Sequence, residues 1–120
     1  MKIFGHEWIE NEIFYAVESI AEIAKTPANS FLVLEPLSES LELAKHCQKN
    51  VLRYALKVNN IEDAMFANLL NATYVLCEKA LAKELMPIAQ NYLFDTQVLA
   101  YIKKGEIEEM AKIGVDGVVL

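Results

Sequence analysis

Short, almost unbroken apolar runs alternate along this chain with longer segments that carry apolar residues every three or four positions, and few architectures accept that pattern. The runs are Lys2-Ile3-Phe4, Phe31 to Leu34, Val51 to Leu56, Thr73 to Leu76, Val98 to Ile102 and Val115 to Leu120. They do not alternate in polarity, as is usual for strands covered on both faces. Between them, Ile9, Ile13, Val17, Ile20 and Ala24 form one stripe, and the spacing predicts a helix over residues 7–25. Further helices are predicted over 38–49, opened by Ser38, over 60–71, opened by Asn60 with Glu62 and Asp63 in its first turn, over 79–92 and over 105–113. Pro87 should kink or split the fourth of these, and Gly114 is a natural stop after the fifth. Strand and helix thus take turns throughout. The fold class implied is α/β: a Rossmann-like, doubly wound parallel sheet of six strands in a three-layer α/β/α sandwich.

A chain of 120 residues is the size of one domain, and residues 1–120 read as a single unit without linker or low-complexity stretch. It ends inside an apolar run, which implies a piece cut from a longer protein. The hydrophobic fraction of 54% exceeds the ~45–50% usual for soluble domains. A small interior cannot hide the surplus, so coverage by another subunit, in a dimer or ring, is expected. The net charge of −6 disfavours nucleic acid and anionic membrane surfaces. No stretch approaches the ~20 apolar residues of a membrane span, and no signal peptide is recognisable. Cys47 and Cys77 lack metal-site or redox spacing and suit a reduced, buried state in the cytoplasm.

In a parallel sheet, ligands gather beyond the carboxyl ends of the strands. Those positions hold Gly5-His6, Glu35-Pro36, Lys57, Cys77-Glu78-Lys79 and Lys103-Lys104, and a switch in strand order would bring the ends of the first and fourth strands together. A dinucleotide fold wants three glycines in G-x-G-x-x-G after the first strand. Gly5 supplies the first, whereas Glu7 and Glu10 replace the others. A Glu side chain blocks the approach of a diphosphate to the backbone, and its charge opposes one at a helix N-terminus. Bound NAD or another adenine nucleotide is therefore disfavoured. The same acids also read simply as a solvated first turn. Glu35 ends the second strand, where such folds place an acid on the ribose hydroxyls.

With Gly5 and Glu35, the segments Asn71 to Cys77, Asp95 to Ile102 and Gly114-Val115-Asp116-Gly117-Val118-Val119-Leu120 resemble the N-terminal domain of regulators of potassium conductance, the RCK or TrkA-N domain. The likeness runs over nearly the whole chain. It implies a cytoplasmic gating or sensing domain of a potassium channel or uptake system. Such a domain works as a dimer or ring beside a membrane-embedded pore, in the same chain or a partner, and does not itself enter the membrane. It implies no catalysis, and Gly5, His6, Glu35, Cys77 and Glu78 as the cofactor contacts. The departures fall on the ligand side: a degenerate glycine turn, Lys57-Val58-Asn59-Asn60 where the family often has Gly-Asp, and Tyr101 where it often has Arg. A retained scaffold with nucleotide binding weakened or lost fits that distribution.

Other constellations carry less. His46 and Cys47 are adjacent on a helix and point apart, His6 stands alone, and no zinc set is recognisable. Cys77 reads as a buried inert thiol, and Trp8 and Phe14 as packing or interface residues. No nucleophile elbow or P-loop is present, and Lys57 stands where a phospho-acceptor receiver needs an Asp. The alternative is an enzyme: part of a (β/α)-barrel, with Glu35, Lys57 and Glu78 as acid–base residues at strand ends.

Overall fold

A computed structural model describes all residues, 1–120. The elements in chain order are β1 Lys2–Phe4, β2 Phe14–Ala16, α1 Ile20–Ala24, β3 Phe31–Leu34, α2 Leu37–Lys49, β4 Tyr54–Lys57, α3 Ile61–Leu69, β5 Tyr74–Glu78, α4 Lys79–Asn91, β6 Gln97–Tyr101, α5 Ile107–Lys112 and β7 Gly117–Val119. The strands form one sheet, all parallel, with helices between them from β2 onward. This is the α/β class, Rossmann-like in its alternation, that the apolar runs imply. No helix is long and apolar enough to cross a membrane.

The sheet has seven strands rather than six, because the first half of the expected helix over 7–25 is absent. Residues 9–13 form no helix, Phe14–Ala16 is a strand, and α1 covers only Ile20–Ala24. The pairing Phe14↔Phe31, Tyr15↔Leu32, Ala16↔Val33 outweighs the helical stripe. Phe14 packs its ring on Phe31 at 5.0 Å, while Ile9, Ile13 and Ile20 of the supposed apolar stripe stay exposed. Ser19 then caps α1 by accepting from the Glu22 N–H at 3.1 Å.

The later helices follow their local signals more closely. Asn60 caps α3, its Oδ1 accepting from the Asp63 N–H at 2.8 Å. α2 begins at Leu37 after Pro36, so Ser38 lies inside its first turn. Pro87 does not split α4. α2 to α5 share one ending. Val51, Asn71, Leu93 and Gly114 adopt positive φ, and Leu52, Ala72, Phe94 and Val115 donate to Cys47, Ala67, Ala89 and Met110 carbonyls five residues back. Val51, expected to open a strand, is instead one of these left-handed residues.

Strand order is β1-β7-β6-β5-β4-β3-β2. From β2 onward each strand lies beside the next and the winding never reverses, so β1 and β5 are not neighbours at a switch point. With right-handed crossovers, an unreversed winding puts every helix on one face. Accordingly, the helical core residues, among them Leu43, Cys47, Ala64, Leu85 and Met110, pack with Leu34, Tyr54, Leu56, Val75, Val98 and Val118. The expected three-layer sandwich is therefore replaced by helices on one side only. The other sheet face holds Phe4, Phe31, Ala55, Tyr74, Leu76 and Leu99, with no helical residue among them.

That face is covered by the sheet itself. Laid flat, the outermost of seven strands would stand about 29 Å apart at ~4.8 Å per strand. Instead the Phe4 and Phe14 rings, on the two edge strands, lie 5.1 Å apart. The sheet is rolled, and side chains close its seam where no β1–β2 ladder forms. Tyr74 stacks on Phe31 at 5.1 Å and meets Phe4 edge-on at 5.8 Å. Gly117 leaves the room this filling needs: a Cβ there would stand 2.6 Å from Leu99 Cδ2.

Candidate functional site

Side chains alternate across a strand, so every second residue continues the inward face. Beyond the inward layer of Val33, Ala55, Leu76, Leu99 and Val119, the next inward positions are Glu35, just past β3, and Lys57, Glu78 and Tyr101, the last residues of β4, β5 and β6. All four line one cavity of about 510 Å³ at the carboxyl ends of the strands, together with Ser38 and Asn59. A second cavity of about 350 Å³ shares Glu35 and Glu39 with it and adds Glu18, just past β2.

Lys57 Nζ donates to Glu35 Oε1 at 2.9 Å. That hydrogen bond holds the Lys57 ammonium above its ordinary pKa, against a smaller opposing effect of burial; Glu35, Tyr101 and Glu18 add electrostatic support. Burial raises the Tyr101 hydroxyl, while Lys57 pulls it the other way. Glu78 forms no ion pair. The resting site is thus a protonated lysine held by one carboxylate, with a second carboxylate and a neutral phenol beside it.

The residues expected to contact a cofactor separate into two groups. Glu35, Cys77 and Glu78 come together at the cavity. Gly5 and His6 do not line it. Gly5 has φ 87, and a Cβ there would meet the Leu120 oxygen at 3.0 Å, where the Leu120 N–H donates to Phe4. Its glycine is thus explained by the β1–β7 pairing. His6 Nδ1 accepts from the Trp8 N–H at 3.1 Å. No helix starts at residue 7, so Glu7 and Glu10 have no helix N-terminus to oppose; Glu7 instead stands 3.8 Å from Lys104 in an exposed pair. The electrostatic part of the expected obstruction to a diphosphate therefore lacks the helix N-terminus it requires. Cys77 is buried toward the helices, donates to the Leu99 carbonyl at 3.8 Å, and has its pKa pushed up to about 12, chiefly by burial. It is no nucleophile in this state.

Tyr101, noted above as a departure on the ligand side, does line the cavity, whereas Glu18 reaches the site without any sequence signal having marked it. Glu18 was hidden inside the expected helix. Had Phe14 to Ala16 been read as a strand, counting by twos from Phe14 would have turned it inward. No group of three His, Cys, Asp or Glu side chains is placed to hold a metal ion.

No protein-family model matches the sequence, and no curated protein matches it.

Proposed function

We propose that the chain is an acid–base enzyme acting at the cavity of Glu35, Lys57, Glu78 and Tyr101. Its reaction class is proton abstraction beside the carbonyl of a small polar, hydroxylated compound. The observation that carries this reading is that inward residues at or just past the carboxyl ends of four consecutive strands meet in one cavity of a rolled parallel sheet, where such folds do their chemistry. Glu78, free of an ion-pair partner, takes the carbon-bound proton. The C–H electron pair moves into the new C=C bond and the carbonyl pair onto oxygen, where the Lys57 ammonium stabilises the charge. Glu35 keeps Lys57 protonated and oriented, which favours this role over amine attack on the carbonyl. Tyr101 is placed to return a proton to the oxygen.

The test is a panel of small hydroxy-aldehydes, hydroxy-ketones and oxo acids incubated with the protein in D₂O, with loss of the α-proton signal followed by NMR. At least one compound should exchange. Exchange should vanish in Glu78→Gln and in Lys57→Met, with folding unchanged. Absence of exchange across the panel counts against the proposal.

A second reading is kept because of the surface. Trp8, Ile13, Val51, Leu69 and Leu93 are large apolar residues, each exposed by 70% or more. They support a domain that contacts another chain. That surface is what the second reading rests on, a cytoplasmic gating or sensing domain of a potassium channel or uptake system, assembled as a dimer or ring, with nucleotide binding weakened or lost; the unreversed strand order does not add to it. A monomeric mass by light scattering at high concentration would count against this reading, and so would a large thermal shift with NAD or ATP.

A further inference from the structure

At the opposite, amino-terminal end of the strands a separate cavity of about 410 Å³ opens beside the seam. Its walls are β1, Tyr74 and the segment Ile9–Glu12 that crosses the gap between β1 and β2. This volume lies in the range of about 300–1,000 Å³ typical of small-ligand pockets. Glu12 anchors the segment: its two oxygens accept from Arg53 Nη1 and Nη2 at 2.8 and 2.7 Å, and the Arg53 guanidinium lies 5.2 Å over the Phe31 ring.

The polar groups of this cavity are unevenly matched. Glu12, its one carboxylate, is neutralised by Arg53, which holds that carboxyl below its ordinary range. Lys2 lies within electrostatic reach of Glu12 but forms no ion pair with it. Its Nζ instead donates to Tyr74 Oη at 2.7 Å, leaving further ammonium hydrogens without a protein acceptor. Tyr74 is only 6% exposed, and its hydroxyl proton has no acceptor either. Two donors, one of them cationic, thus stand side by side against walls of Ile3, Phe4 and Ile9.

We propose that this cavity binds a small amphipathic monocarboxylate. Its carboxylate bridges Lys2 Nζ and the Tyr74 hydroxyl, and its apolar body lies along Phe4 and Ile9. A cation finds no free carboxylate there. A neutral alcohol forgoes the charge-assisted hydrogen bond to Lys2. The cavity is distinct from the one at the carboxyl ends, since the two share no residue.

The experiment is titration of the full chain with octanoate, octanol and octylamine as probes, read by calorimetry and by backbone amide NMR. Octanoate should bind saturably and shift the amides of Lys2, Ile9, Asn11 and Tyr74, and the other two probes should bind much more weakly. Lys2→Met should weaken octanoate by about tenfold or more, the usual size of a charge-assisted hydrogen bond. Tyr74→Phe, which keeps the ring stacked on Phe31, should weaken it severalfold with the thermal midpoint little changed. Lys57→Met should leave the affinity as it was. Equal binding of octanol, indifference to Lys2→Met, loss of binding in Lys57→Met, or no saturable binding would each overturn the proposal.

Discussion

Lys57 Nζ lies 2.9 Å from Glu35 Oε1, across the carboxyl ends of neighbouring strands, and both side chains are 36% exposed. A pair so exposed adds at most about 1 kcal/mol to stability, because water screens it. Its consequence is chemical: the carboxylate holds the ammonium charged. Glu35→Gln should therefore lower the Lys57 pKa, read by NMR titration of its side-chain carbon, with little loss of stability. Since the folded pKa lies above the ordinary 10.5, the pair's contribution is fully present below that pH. It disappears as pH rises through the folded value, so wild type and Glu35→Gln should converge in stability at strongly alkaline pH.

Phe14 closes the seam against Phe4 and Phe31. It is partly buried, so Phe14→Ala should cost about 2 kcal/mol, below the ~3–5 of a fully buried aromatic. A helix over residues 7–25 predicts the opposite, because alanine improves helix propensity. Urea unfolding distinguishes the two, and an unchanged or raised midpoint would refute the rolled seam.

Val51 has φ 53 and is 89% exposed, so a β-branched residue occupies a left-handed position with no packing to compensate. Left-handed backbone costs about 1–2 kcal/mol in a non-glycine residue, and glycine gives back about 0.5–1 kcal/mol in unfolded-chain entropy. Val51→Gly should thus stabilise by somewhat under 1 kcal/mol. Gly114→Ala, the converse change at the equivalent position, should destabilise by about 1 kcal/mol. Thermal melts of the two variants should move in opposite directions.

The contrast between Val51 and Asn60 shows what could be read from local order. Asn60, Gly114 and the runs at Phe31, Tyr74 and Val98 announce their elements through short-range chemistry, and so do the strand-end residues Glu35, Lys57 and Glu78. The segment from Ile9 to Ala24 misleads, because its Ile9–Ile13–Ile20 spacing suits a helix while Phe14 finds a better partner in Phe31. That pairing is a tertiary fact, invisible to periodicity. The unreversed strand order is equally non-local: either winding suits the same alternation of strands and helices, but only one brings Phe4 to Phe14. Tyr101 stands on the ligand side already in the sequence, but its place beside Lys57 and Glu35 follows only from the roll of the sheet.

Cys47 and Cys77 provide a probe of the same architecture. Burial pushes their pKa values to about 11 and about 12, so at pH 8 almost no thiolate exists at either position and neither sulfur is accessible. In the folded protein both should resist a disulfide-exchange reagent such as dithiobis-nitrobenzoate, and both should react at once in denaturant. Alkylation kinetics resolved by peptide mass would also compare the two packing environments. Cys47 lies on α2 and Cys77 on β5, and both belong to the layer between helices and sheet. Reaction under native conditions should therefore follow opening of that layer and accelerate with urea for both. Rapid labelling of Cys77 alone in native buffer would mean that its sulfur faces the carboxyl-end cavity, and the inward order of Glu35, Lys57, Glu78 and Tyr101 would then have to be redrawn.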